Sequence, residues 1–91
     1  MEIAVNRCYG GFRLSEKAYN FLGLKYDGHG FIFQNPEERS NPKLIECIKI
    51  LGKNASEQYA QIEIVEIPDD IEWHIDNYGG MEAVYEKHRM W

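Results

Sequence analysis

Seven consecutive residues, Arg7-Cys8-Tyr9-Gly10-Gly11-Phe12-Arg13, bring together two guanidinium groups, a thiol, two aromatic rings and a glycine pair, and Ser15 follows as a helix cap. Each type has a chemical use. Guanidinium groups fork two hydrogen bonds onto phosphate oxygens. Tyr9 and Phe12 can stack on a planar base. Gly10 and Gly11 let a ligand approach the backbone closely. Free N–H groups at a helix start, with the helix dipole behind them, attract an anion. The stretch therefore reads as a cradle for an anion or nucleotide. A bare Gly-Gly falls short of a phosphate-loop fingerprint, and a tight strand-to-helix turn with an aromatic anchor would use the same residues.

Three further constellations carry weaker chemistry. At the carboxyl end, His88, Arg89 and Trp91 could complete a pocket shared between subunits, or could simply anchor the chain end with Trp91 packed and the charges solvated. Cys8 precedes a helix start, which lowers a thiol's pKa, but nothing in the sequence ties a histidine base to it, so a cysteine-dependent enzyme is the least supported reading. The acids Glu63, Glu66, Asp69, Asp70, Glu72, Asp76, Glu82 and Glu86 could imitate DNA phosphates on exposed strand faces and block a host enzyme, or could only keep strand edges apart. Cys8 and Cys47 with His29, His74 and His88 lack zinc-site spacing, so no metal and no cofactor are expected.

The elements that position these residues follow from periodicity. Ile3 and Val5 alternate in a strand ending near Arg7. Ser15 caps a helix over 16–22 carrying Leu14, Ala18, Phe21 and Leu22, and Gly23 stops it. Phe31-Ile32-Phe33 is compatible with a short strand, and Pro36 to Ser40 reads as an exposed loop. Asn41-Pro42 opens a helix over 42–51 with Leu44, Ile45, Ile48 and Leu51 on one stripe, and Cys47 half-buried beside it. Tyr59 to Ile67 is β-branched and ends at Pro68. Gly79-Gly80 turns a hairpin from the Trp73–Asn77 run into a strand over Met81–Glu86, with a helix over 81–89 as its competitor. The expectation is one α+β domain spanning residues 1–91, with a small mixed or antiparallel sheet, two helices on one face and a C-terminal β-hairpin.

Hydrophobic residues make up 44% of the chain, enough to fold. The net charge of −5 conceals an imbalance: residues 1–53 carry 8 basic against 6 acidic side chains, whereas residues 54–86 carry 9 acids and no Lys or Arg. General nucleic-acid binding is not expected from that layout. No apolar run is long enough for a membrane span and no amino-terminal signal pattern is present, so a cytoplasmic location is expected. A chain this small often gains stability by self-association, so a homo-oligomer is expected too.

Four segments carry a family likeness: Asn6-Arg7-Cys8-Tyr9-Gly10-Gly11-Phe12, Pro42-Lys43-Leu44-Ile45-Glu46, Ile64-Val65-Glu66-Ile67-Pro68-Asp69-Asp70 and Glu86-Lys87-His88-Arg89-Met90-Trp91. Together they resemble a group of small bacteriophage and prophage proteins that have no established activity. The resemblance supplies no catalytic residues. It implies a context: a phage factor, expressed in the host cytoplasm, that counters host defence by sequestering a nucleotide immune signal. The alternative partner in that context is a host protein, blocked through the acidic half of the chain.

Overall fold

Ser15 and Asn41 start the two helices through their side-chain oxygens. Ser15 Oγ accepts from the Ala18 amide at 3.2 Å, and Asn41 Oδ1 from the Lys43 amide at 2.9 Å. Helix α1 spans Glu16–Leu22 and ends on Gly23 at φ 72°; α2 spans Pro42–Leu51 and ends on Gly52. The computed structural model of the protein describes residues 1–86. Among them lie four strands, β1 (Glu2–Asn6), β2 (Ile62–Glu66), β3 (His74–Tyr78) and β4 (Met81–Tyr85), with 3₁₀ turns at Pro36–Ser40 and Gly52–Ala55.

This is a small α+β fold with two antiparallel sheets of two strands each, β1–β2 and β3–β4, rather than a single sheet. The hairpin closes through Gly79 and Gly80, both at positive φ, and pairs Tyr78 with Met81 and His74 with Tyr85. Over the described part of the competing helix, residues 81–86, strand β4 forms instead, and 87–89 lie outside the described residues.

β1 is buried on both faces. Ala4 packs with Leu44, Ile48, Ile62 and Phe12 in the core beneath the helices. Ile3 and Val5 point the other way, against Ile67 and Val84, with Trp73 and Ile75 at the margin. Each fully buried aliphatic side chain contributes about 1.5–3 kcal/mol, so β1 is the strand both layers depend on. Cys47, expected at the edge of the α2 stripe, is fully buried between α2 and α1.

Two expectations fail for identifiable reasons. Phe31-Ile32-Phe33 forms no strand. Asp27 Oδ1 captures the His29 and Gly30 amides at 2.8 and 2.7 Å, and Phe33 sits at φ 58°, which breaks any extended run. Pro36–Ser40 is a 3₁₀ turn whose Arg39 is only 2% exposed, not an exposed loop.

Arg39 answers a backbone problem. The Arg7 amide bonds to Gln61 O and the Ile67 amide to Met1 O, so odd-numbered residues of β1 face β2. Even-numbered residues turn their backbone groups to the opposite edge, where no strand among the described residues pairs with them. There, Arg39 Nη1 donates to Ala4 O at 3.3 Å and the Asn6 amide donates to Glu82 Oε1 at 2.9 Å. Arg39 and Glu82 join each other through two bonds, at 2.6 and 2.8 Å. A buried ion pair thus closes the β1 edge where a third strand would otherwise stand.

Candidate functional site

The stretch after β1 is organised by Asn6, which is fully buried. Its Oδ1 accepts the Cys8 amide at 3.2 Å and the Gln61 amide at 2.9 Å. Its Nδ2 donates to Cys8 O and, at 2.7 Å, to Gly80 O. All four hydrogen-bonding positions of the side chain are in use. One amide therefore ties together the loop, the approach to β2 and the hairpin tip.

The glycines divide into two uses. A Cβ on Gly10 would lie 2.0 Å from Tyr59 O, and one on Gly80 would lie 2.3 Å from Tyr9 O. These two positions are glycine because one backbone crosses another. Gly11 differs: it holds φ 87°, and a Cβ there would meet nothing within 4 Å. A side chain would have room at Gly11 and not at Gly10, although Gly10 is the more exposed residue and the Gly11 amide nitrogen lies against Gly80.

Tyr9 stands at the surface, 71% exposed, next to the hairpin turn. Phe12 does not share that surface. It is 1% exposed, and the Arg39 guanidinium lies over its ring at 3.7 Å. The expected second stacking platform is thus corrected: Phe12 is a core residue, because its ring is the cation–π partner of a buried charge.

Both expected phosphate ligands hold internal partners. Arg7 Nη1 donates to Glu82 O at 2.9 Å, and its Nε lies 3.6 Å from Glu63 Oε2. Arg13 Nε donates to His29 O at 2.8 Å, its Nη1 lies 3.4 Å from Glu57 Oε2, and its guanidinium covers Phe31 at 4.9 Å. Arg13 has three partners and fastens the 27–31 loop to Glu57. The Arg7 ion pair is long, and Glu63 keeps half its side-chain surface exposed, so that contact is worth about 0–1 kcal/mol and is open to competition.

Cys8 is a free, half-buried thiol whose sulfur makes no hydrogen bond among the described residues. His88, Arg89 and Trp91 lie outside the described residues. Two concavities, of about 540 and 310 Å³, are lined by Met1, Pro42, Ile45 and Lys49 in one case and by Ile48, Lys53, Ala60 and Ile62 in the other. Neither is lined by residues 7–13. Among the described residues no group of three His, Cys, Asp or Glu is placed to hold a metal, and no helix is long and apolar enough to cross a membrane.

Sequence reasoning missed Asn6, Arg39 and Glu82 as organising residues. A signal existed for Glu82: in a strand it shares a face with Val84, which is a core residue. No comparable signal marked Arg39, which lies between polar residues in a loop-like stretch. No protein-family model matches the chain, and no curated protein or solved structure shows significant similarity to it.

Proposed function

We propose that the protein is a non-catalytic binding protein that captures a phosphate-bearing small molecule of the nucleotide type on the surface formed by Arg7, Tyr9 and Gly11. The observation that carries this reading is the exposed ring of Tyr9 in a loop that begins at Arg7, whose ion pair with Glu63 is long and half-exposed. A base stacks on Tyr9, which has only two side-chain torsions to immobilise. The phosphate enters the space left by the missing side chain of Gly11 and takes Arg7 from Glu63, a weak half-exposed pair. Arg13 contributes positive charge but stays with Glu57. In the context the phage resemblance implies, the ligand is a nucleotide signal of host immunity, removed by sequestration rather than by turnover. Neither of the two concavities is lined by Arg7, Tyr9 or Gly11, and a homo-oligomer, which would build the site between subunits, is kept in this reading.

A thermal-shift panel of linear and cyclic nucleotides tests it. At least one member should raise the melting temperature, and Tyr9→Ala should abolish that shift while leaving the unliganded melting temperature near wild type. A panel with no shift, or an unchanged shift in Tyr9→Ala, removes the proposal.

A further inference from the structure

The β3–β4 hairpin has two unlike faces. Ile75, Asn77, Glu82 and Val84 alternate toward β1, whereas His74, Asp76, Tyr78, Met81, Ala83 and Tyr85 share the outer face by register. Neither hydrophobic cluster takes in any of the outer six. A two-stranded sheet normally buries one face and solvates the other with charged or small polar residues. This outer face instead carries two tyrosines, a histidine and a methionine around one carboxylate.

Its side chains are already ordered against one another. The His74 ring stacks on Tyr85 with centroids 5.7 Å apart and planes 16° apart. His74 Nε2 lies 3.5 Å from Asp76 Oδ2. Hydrogen bonding to Tyr85, then the charge of Asp76, pushes the Tyr78 phenol above its ordinary range. Groups held in place before binding lose less entropy on binding. The described stretch that carries the hairpin is acidic: residues 54–86 contain no Lys or Arg. Glu66, at the end of β2, and Asp70 and Glu72, in the connection leading to β3, are exposed and have no ion-pair partner among the described residues.

We propose that the outer face of the hairpin docks an arginine-bearing segment of a partner protein, with guanidinium planes on Tyr78 and Tyr85 and a forked bond to Asp76. The chemistry selects arginine over lysine. A guanidinium is planar, stacks on aromatic faces and matches a carboxylate with two parallel bonds, whereas an ammonium is a strongly hydrated point charge. Tyrosine and arginine are also the residue types that dominate binding energy at interfaces. Among the described residues a second copy is the poorer occupant, because Arg39 is buried against Glu82, Arg13 is held by His29 O and Glu57, and Arg7 keeps its bond to Glu82 O. This surface is separate from the Arg7–Gly11 surface and does not depend on it.

Octa-arginine and octa-lysine peptides, titrated calorimetrically into the full chain at physiological ionic strength, provide the test. Octa-arginine should bind about tenfold or more tightly than octa-lysine. The double substitution Asp76→Asn with Tyr78→Ser should weaken octa-arginine about tenfold or more. Glu37→Gln with Glu46→Gln, which removes more charge on the helical side, should change it less than about twofold. Equal affinity for the two peptides, equal loss in the helical-side control, or no detectable binding overturns the proposal, because each means attraction by net charge or no site at all. Self-association that Asp76→Asn with Tyr78→Ser abolishes would overturn it as well, in favour of a second copy.

Discussion

Removing the Arg39 guanidinium should cost this domain a large part of its stability, and the size of the loss can be worked from the contacts. Arg39 and Glu82 are 2% and 4% exposed, so neither partner is solvated once the other is gone. In Arg39→Met, the Glu82 carboxylate keeps only the Asn6 amide, at 2.9 Å, against its charge. Breaking a buried pair in this way costs about 3–5 kcal/mol. A chain of 91 residues has only about 5–14 kcal/mol in total. Replacing both partners, as Arg39→Met with Glu82→Leu, is often neutral or stabilising in other proteins, because two desolvated charges disappear together. Here it should not be neutral. Ala4 O and the Asn6 amide lose their partners on the β1 edge, and an unsatisfied buried backbone group costs about 1–3 kcal/mol. The double variant should therefore lie about 2–4 kcal/mol below wild type, above Arg39→Met but not level with it. Urea unfolding followed by circular dichroism measures all three. A double variant as stable as wild type would refute the claim that the ion pair stands in for missing strand pairing.

Three other consequences can be measured. Asn6→Ala leaves the Gln61 amide and Gly80 O without their partner and should lose about 2–4 kcal/mol in urea unfolding, with amide exchange rising first around Gly80; a loss below about 1 kcal/mol would deny Asn6 its organising role. Gly11→Ala meets only a positive-φ penalty of about 1 kcal/mol, whereas Gly80→Ala also drives a methyl into Tyr9 O and should cost clearly more; equal midpoints would contradict the interlocked turns. Burial, and then the charge of Asp27, push the Tyr19 phenol up to about 12. A raised folded-state pKa favours the protonated form, so its contribution is complete below the ordinary tyrosine value near 10 and is lost as pH rises from about 10 towards about 12. Absorbance titration should show Tyr19 ionising late, at about 12, with Tyr78 also above the ordinary range, and six normal tyrosines would contradict it.

The elements with strong local chemistry were legible in the sequence. Ser15 and Asn41-Pro42 fix both helix starts, Gly23 and Gly52 fix both ends, and Gly79-Gly80 fixes the hairpin. These signals act within one turn of the residue that carries them. What was not legible depends on distant partners. Phe12 looked like a free ring because Arg39, which covers it, lies 27 positions away and pairs with a carboxylate 43 positions further on. The Gly10-Gly11 pair looked uniform, yet only tertiary contact with Tyr59 separates a crowded position from an open one. Local periodicity cannot encode which of two adjacent glycines another backbone will cross.

Arg7 links the candidate ligand surface to the core, and this decides which substitution can probe it. Its Nη1 holds Glu82 O, the backbone of the residue whose carboxylate seals β1, while its Nε only approaches Glu63. Arg7→Ala would remove both contacts and confuse lost binding with a loosened hairpin. Glu63→Gln leaves the Glu82 contact in place and releases the guanidinium towards solvent. If a phosphate must take Arg7 from Glu63, the affinity of a bound nucleotide should rise in Glu63→Gln by about two- to fivefold, the size of a half-exposed ion pair. Glu66→Gln removes the same charge three residues along β2, where no arginine is paired, and should raise affinity far less. Equal gains in the two variants would mean that the ligand senses only the overall field of the acidic half, and that Arg7 has no part in holding it.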